Sequence, residues 1–160
     1  MRLTFWTGFW IFLLDQATKY VVLYLVNLPA QPNQSYDVFA PFLTLRMAWN
    51  RGVNFGLFAD FDMRWVLIGV ALVISSFVIW WIYREKNIGR WAYISAGLLV
   101  GGALGNVVDR AIHGAVADFI NMSCCGINNP YAFNIADISI FAGAIGLVLF
   151  TDGGDKKKTA

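Results

Sequence analysis

Four carboxylates stand inside or beside long apolar runs: Asp15, Asp109, Asp118 and Asp137. A charge at the centre of a bilayer costs roughly 3 kcal/mol on insertion scales, so such acids usually keep a partner or a task. Asp15 has Lys19 four residues on, the favourable order for an ion pair along a helix. Asp109 has Arg110 beside it and Asn106 one turn before. Asp118, in GAVADFI, and Asp137, in FNIADISIF, have no Lys or Arg within four residues. If Asn134 caps the helix that follows it, Asp137 takes the third helical position. There backbone N–H groups and the helix dipole favour the ionised form. Apolar surroundings favour the protonated form instead. Two such acids brought together hold one proton between them. That state suits hydrolysis of an amide: the ionised acid takes a proton from water and the protonated one donates to the carbonyl oxygen. The chemistry requires neither a metal nor a nucleophilic side chain. The two acids lie nineteen positions apart, so spacing leaves a second reading open, with Asp137 as a helix cap and Asp118 as a surface acid.

The elements that must position these acids read as membrane spans. The chain has 160 residues, 58% hydrophobic and 14% charged, with positive mean hydropathy. A soluble domain of this length keeps too much surface wet to hide so many apolar side chains. Runs of about 17–25 apolar residues are long enough to cross a bilayer. Four occur, at about 3–28, 63–83, 91–108 and 135–150. Trp65, Trp80, Trp81, Tyr83, Trp91 and Tyr93 fall near their ends, where amphipathic rings prefer the headgroup level. Arg2, Arg84, Lys86, Arg90, Lys156, Lys157 and Lys158 would lie on one side, and Arg46, Arg51, Arg64 and Arg110 on the other. That excess predicts cytoplasmic termini, with loops 29–62 and 109–134 facing outward. The expected fold is an all-α membrane protein of four transmembrane helices, residues 1–160 forming one domain. A small β-sheet is expected in the first outer loop. The first run imitates a secretory signal, but DQATK follows where a small-x-small cleavage site would stand, and apolar character then resumes. An uncleaved first span is expected. The tail, 151–160, reads as solvated and disordered.

In LTLRMAWN, Leu43, Leu45, Met47 and Trp49 alternate with Thr44, Arg46, Ala48 and Asn50. That period of two predicts a strand with one apolar face. NRG makes a turn, and VNFGLF is expected to return as a second strand. Gly97, Gly101 and Gly105 form a small-residue stripe at four-residue spacing, which lets helices approach closely in lipid. Continued by four, the stripe reaches Asp109 and turns it toward the other helices. Cys124 and Cys125 are adjacent and have no other cysteine to pair with, so they form no disulfide framework. They read as two small side chains in a loop. His113 is the one histidine, and no metal site or cofactor is expected. A net charge of +2 without basic tracts argues against nucleic acid.

Five motifs, DQATK at 15–19, NRGVNFG at 50–56, GGALGNVVDR at 101–110, VADF at 116–119 and FNIAD at 133–137, resemble those of the lipoprotein signal peptidase (signal peptidase II) family, in the family's order. The resemblance implies an aspartic endopeptidase of the bacterial inner membrane, with its active site facing the periplasm. It would cut the signal peptide from prolipoproteins just before a cysteine carrying a diacylglyceryl group. It implies a catalytic pair at Asp118 and Asp137. It also implies support or substrate contacts from Asp15, Lys19, Asn50, Gly52, Asn106, Asp109, Arg110 and Asn134. Membrane lipid and a globomycin-type inhibitor are the further expected partners, and the enzyme is expected to work as a monomer. Where the family usually has a small pair between glycine and phenylalanine, this chain has Val53–Asn54. Rival readings are a proton-conducting transporter, which would need polar groups spread across the spans, and a scaffold without chemistry, which leaves the unpaired acids unexplained.

Overall fold

The computed structural model describes residues 1–52, 62–85, 88–126 and 129–151. Its regular elements, in chain order, are α1 (Arg2–Tyr20), β1 (Ser35–Phe39), β2 (Leu43–Asn50), α2 (Met63–Arg84), α3 (Arg90–His113), β3 (Val116–Met122) and α4 (Ile135–Thr151). The helix ends obey local chemistry. Past Tyr20, α1 loosens into a π-helical turn, Val21–Leu25. Pro29 and Pro32 then sit at the starts of two short 3-10 turns, where a missing N–H costs nothing. Asp62 caps α2 by accepting the Arg64 N–H at 3.1 Å. Gly114, at φ 74, closes α3 as a left-handed glycine commonly does.

Three helical stretches, Arg2–Ala30, Met63–Arg84 and Arg90–His113, are long and apolar enough to cross a membrane. The fourth, Ile135–Thr151, is also apolar but 17 residues long. Helix α3 outruns the sequence expectation. It continues through 109–113, because no helix breaker occurs before Gly114, so Asp109 and Arg110 stand on a helix and not in a loop.

Helix α3 packs against α1, α2 and α4. Its glycine stripe does face another helix, α1. A Cβ on Gly101 would lie 2.5 Å from the Gly8 carbonyl oxygen, a distance no neighbouring backbone tolerates. One apolar core joins Val78 and Ile82 of α2, Ala92, Ala96, Leu99 and Val100 of α3, and Leu147 of α4. Large apolar side chains point away from the bundle, among them Trp6 and Trp10 on α1, Val73 and Phe77 on α2, and Phe141 and Val148 on α4. Contiguous exposed faces of this kind need an apolar solvent.

Beyond one end of the bundle lies an antiparallel sheet in the order β1–β2–β3. The strand expected in LTLRMAWN is present over Leu43–Asn50. The return strand expected at 53–58 lies outside the described residues, and β1 and β3 flank β2. Strand β3 carries no period-two signal, because Val116–Phe119 is buried without a break. Met47, Ala117 and Phe119 rest on Val22, Leu23 and Leu28, which seats the sheet on the end of α1.

Replacing Gly101 with Val is expected to weaken the α1–α3 contact by about 1–3 kcal/mol or more. Gly69→Ala, with nothing within 4 Å of the added methyl, is expected to be neutral or mildly stabilising. Thermal unfolding of the two variants in detergent checks the contrast.

Candidate active site

Asn134 is the N-cap of α4. Its Oδ1 accepts the Asp137 N–H at 2.9 Å, and Asp137 Oδ2 accepts the Asn134 N–H at 3.3 Å. This is a reciprocal capping arrangement, and it places Asp137 where the sequence put it. The Asn134 Nδ2 donates to Asp118 Oδ1 at 2.7 Å and to the Ala117 carbonyl at 3.3 Å. Asn134 therefore ties the carboxyl of β3, through its side chain, to the first turn of α4, where its side-chain oxygen meets the Asp137 N–H and its own N–H meets the Asp137 carboxyl. Asn106, from α3, closes the ring. Its Nδ2 donates to Asp137 Oδ1 at 2.9 Å, and its Oδ1 accepts from Asn134 Nδ2 at 3.3 Å.

Strand pairing sets Asp118 opposite Ala48 of β2. Asn50 lies two residues further on, so its side chain is on the same face. Asp118 is 3% exposed. Burial pushes its carboxyl up from 3.8 to about 7, and the Asp137 charge pushes the same way. Hydrogen bonding from Asn50, the Lys19 charge and the Asn134 amide oppose the rise without cancelling it. Arg110 lies in the combined field of Asp137, Asp118 and Asp109. Its Nη1 donates to the Asn106 carbonyl at 3.4 Å, while its buried Nε has no partner among the described residues.

Behind the pair is a second polar layer. Lys19 Nζ lies 2.8 Å from Asp15 Oδ2 and 2.8 Å from Asp109 Oδ2, and donates to Asn106 Oδ1 at 3.2 Å. The Asp15–Lys19 pair anticipated from their spacing is present. For Asp109 the sequence offered Arg110 and Asn106, but its counter-charge is Lys19 from α1. Gln16 escaped notice: its Nε2 donates to Asp15 Oδ2 and Asp109 Oδ1, each at 3.1 Å, and to the Gly105 carbonyl at 3.3 Å. Its only signal was its place inside DQATK, since its far partners lie 89 and 93 positions away. Backbone amides complete the layer. Asp15 Oδ1 accepts the Ala136 N–H at 3.0 Å, and Asp109 Oδ2 accepts the Ala117 N–H at 3.1 Å. A Cβ on Gly105 would strike the Asp15 carboxylate, which explains the glycine there.

Two support positions stand further out. Asn50 Oδ1 accepts the Gly52 N–H at 2.9 Å in a tight turn. Gly52 has φ 94, and Leu67 fills the space a side chain would need, so it shapes the turn after β2. Val53–Asn54 and Phe55 fall outside the described residues. His113 lies at the end of α3 with its ring 5.5 Å from that of Trp49. Cys124 and Cys125 are free and exposed. Among the described residues, no three His, Cys, Asp or Glu side chains are gathered to hold a metal ion.

Comparison with known proteins identifies the family. A family model described as "Signal peptidase (SPase) II" matches residues 8–151. The chain is 45% identical over 141 residues to a lipoprotein signal peptidase of Methylobacterium sp. (strain 4-46), covering 86% of this chain and 81% of that one. It is 36% identical over 155 residues to the lipoprotein signal peptidase of Aeromonas hydrophila, covering 96% and 90%. A solved structure described as "Bacterial membrane enzyme structure by the in meso method at 2.3 A resolution" superposes with a TM-score of 0.79 at 25% identity. That match covers 100% of this chain and 94% of the other. A second, at 1.9 Å, gives 0.80 at 24% identity and shares the fold. The chain belongs to the signal peptidase II family of aspartic-type proteases.

Proposed function

We propose that Asp118 and Asp137 are the reacting pair, and that they hydrolyse the peptide bond just before a diacylglyceryl-modified cysteine in prolipoproteins. The observation that carries this reading is Asn134, whose single side chain hydrogen-bonds to Asp118 and caps Asp137. Asp118, buried and pushed up to about 7, holds the proton. Asp137, at the positive end of α4, is the base. Water loses a proton to Asp137, its oxygen adds to the scissile carbonyl carbon, and Asp118 protonates the carbonyl oxygen. Collapse of the tetrahedral intermediate then breaks the C–N bond. The amine leaves with the proton held by Asp137, and Asp118 recovers its own from the intermediate's hydroxyl. The Arg110 guanidinium, whose Nε has no partner among the described residues, is placed to steady the substrate backbone.

An apolar groove of about 280 Å³ runs beside α3 toward this cluster, lined by Leu67, Val70 and Ile74 of α2, Leu99 and Ala103 of α3, and Ile140 of α4, with Asn106 and Arg110 also on its wall. Such a wall suits an acyl chain or an apolar signal helix arriving from the bilayer. The reading takes residues 1–160 as one four-span domain of the bacterial inner membrane, with cytoplasmic termini and the acids at the periplasmic rim. The distribution of Lys and Arg supports that orientation. A globomycin-type peptide would compete for the same cleft, and a monomer suffices because every polar group of the cluster comes from one chain.

Asp118→Asn and Asp137→Asn are each expected to lower cleavage of a lipid-modified precursor by about 10²–10⁴-fold while leaving membrane insertion intact. Normal processing by either variant overturns the pair.

The alkaline limb of kcat/KM is expected near pH 7, where Asp118 gives up its proton. The same titration bears on stability. The native state holds this proton more tightly than the unfolded chain, so the contribution is complete below about pH 4 and lost as pH rises through about 7. Asp118→Asn is therefore expected to gain stability over the wild type between about pH 5 and pH 8, by on the order of 2 kcal/mol, read by thermal unfolding in detergent.

The exposed Cys124 and Cys125 lie on the outward side in this reading. A membrane-impermeant maleimide is expected to label them in intact spheroplasts; labelling only after lysis overturns the orientation.

A further inference from the structure

We propose that the buried triplet of Asp15, Lys19 and Asp109 sets the gap between the two acids, by holding the backbone one residue before each of them. The proposal rests on the assignment of Asp118 and Asp137 as the reacting pair. Asp109 Oδ2 accepts the amide hydrogen of Ala117, the residue before Asp118, at 3.1 Å. Asp15 Oδ1 accepts the amide hydrogen of Ala136, the residue before Asp137, at 3.0 Å. Lys19 Nζ joins the two carboxylates at 2.8 Å each. A continuous polar path thus runs from one acid's strand to the other acid's helix without passing through Asn134.

The pattern calls for more than a packing role. The three side chains are between 0% and 5% exposed. A buried ion cluster of this kind is often no more stabilising than apolar side chains of the same shape. What apolar side chains cannot do is accept N–H groups at two chosen points. The first-turn amide of α4 lacks an intrahelical acceptor, and Asp15 supplies one from α1. Neither Asp15 nor Asp109 lies on an element that carries a reacting acid. They act as positioning residues, tying β3 and α4 to the α1–α3 frame. Gln16 donates to both carboxylates and holds them in register with each other.

The test uses the purified full-length chain and a diacylglyceryl-modified precursor. Asp109→Asn and Asp109→Leu remove the same charge and leave Lys19 paired with Asp15, but only Asn can still accept the Ala117 N–H. Expected is a kcat within about tenfold of wild type for Asp109→Asn. For Asp109→Leu the expected loss is about 100-fold or more, with KM within about threefold, the scale of a misplacement near 1 Å. Asp15→Leu, which releases Ala136 on the other element, is read the same way and serves if Asp109→Leu does not fold. Amide exchange needs no variant. In the wild type, the Ala117 and Ala136 amides are expected to exchange as slowly as the buried interior of α3, and in the folded Leu variant the released amide at least about tenfold faster. Equal kcat in the Asn and Leu variants, or fast exchange at both amides in the wild type, overturns the positioning role. If instead Asp118→Asn and Asp137→Asn cleave normally, the assignment of the reacting pair is what fails.

Discussion

Lys19 is an ammonium ion with 4% of its side chain exposed, and the polar end of the molecule is arranged around it. An isolated buried charge is costly enough that the group would rather neutralise. Two carboxylates from different helices, Asp15 and Asp109, meet it at 2.8 Å each, and Asn106 adds an oxygen at 3.2 Å. The same carboxylates also accept the backbone N–H groups of Ala117 and Ala136 and the Gln16 amide. The strand bearing Asp118 and the helix bearing Asp137 are therefore held by the same electrostatic requirement that keeps Lys19 charged.

The frame around this cluster follows from its solvent. With apolar side chains such as Trp10, Val73 and Val148 turned outward, the hydrophobic effect cannot drive the helices together as it would in water; close van der Waals packing does. That explains why α1 and α3 approach through Gly8, Gly97 and Gly101. It also explains why Gly105 continues the line, since the same close approach brings Asp15 against α3. The glycine stripe and the buried ion cluster are two stretches of one helix–helix contact, apolar along most of its length and ionic at the end nearer the sheet.

Much of this was readable from local pattern. Helix positions followed from apolar runs, β2 from the alternation in LTLRMAWN, the cap on α4 from the three-residue step between Asn134 and Asp137, and the Asp15–Lys19 pair from a four-residue step. Each of these depends on residues within one turn or one strand. Strand β3 was not legible, because burial on both faces removes the alternation that marks a strand. The partner of Asp109 was not legible for a related reason. Local spacing offered the nearest cation, Arg110, whereas the ion in contact comes from 90 positions earlier in the chain, on α1.

By itself, then, the sequence determined where the helices lie and their apolar surroundings, the residues that cap and pair along them, and, through its five motifs, the family to which it belongs. These follow from periodicity, chain-neighbour chemistry and composition, which folding does not alter. Tertiary structure alone decided that Asn134 reaches Asp118 across 16 positions, that Asn106 reaches Asp137 across 31, and that Asp15 reaches the Ala136 amide across 121. Hydrogen bonds act over about 3 Å, and no spacing along the chain encodes which distant atoms the packed backbone will bring within that range.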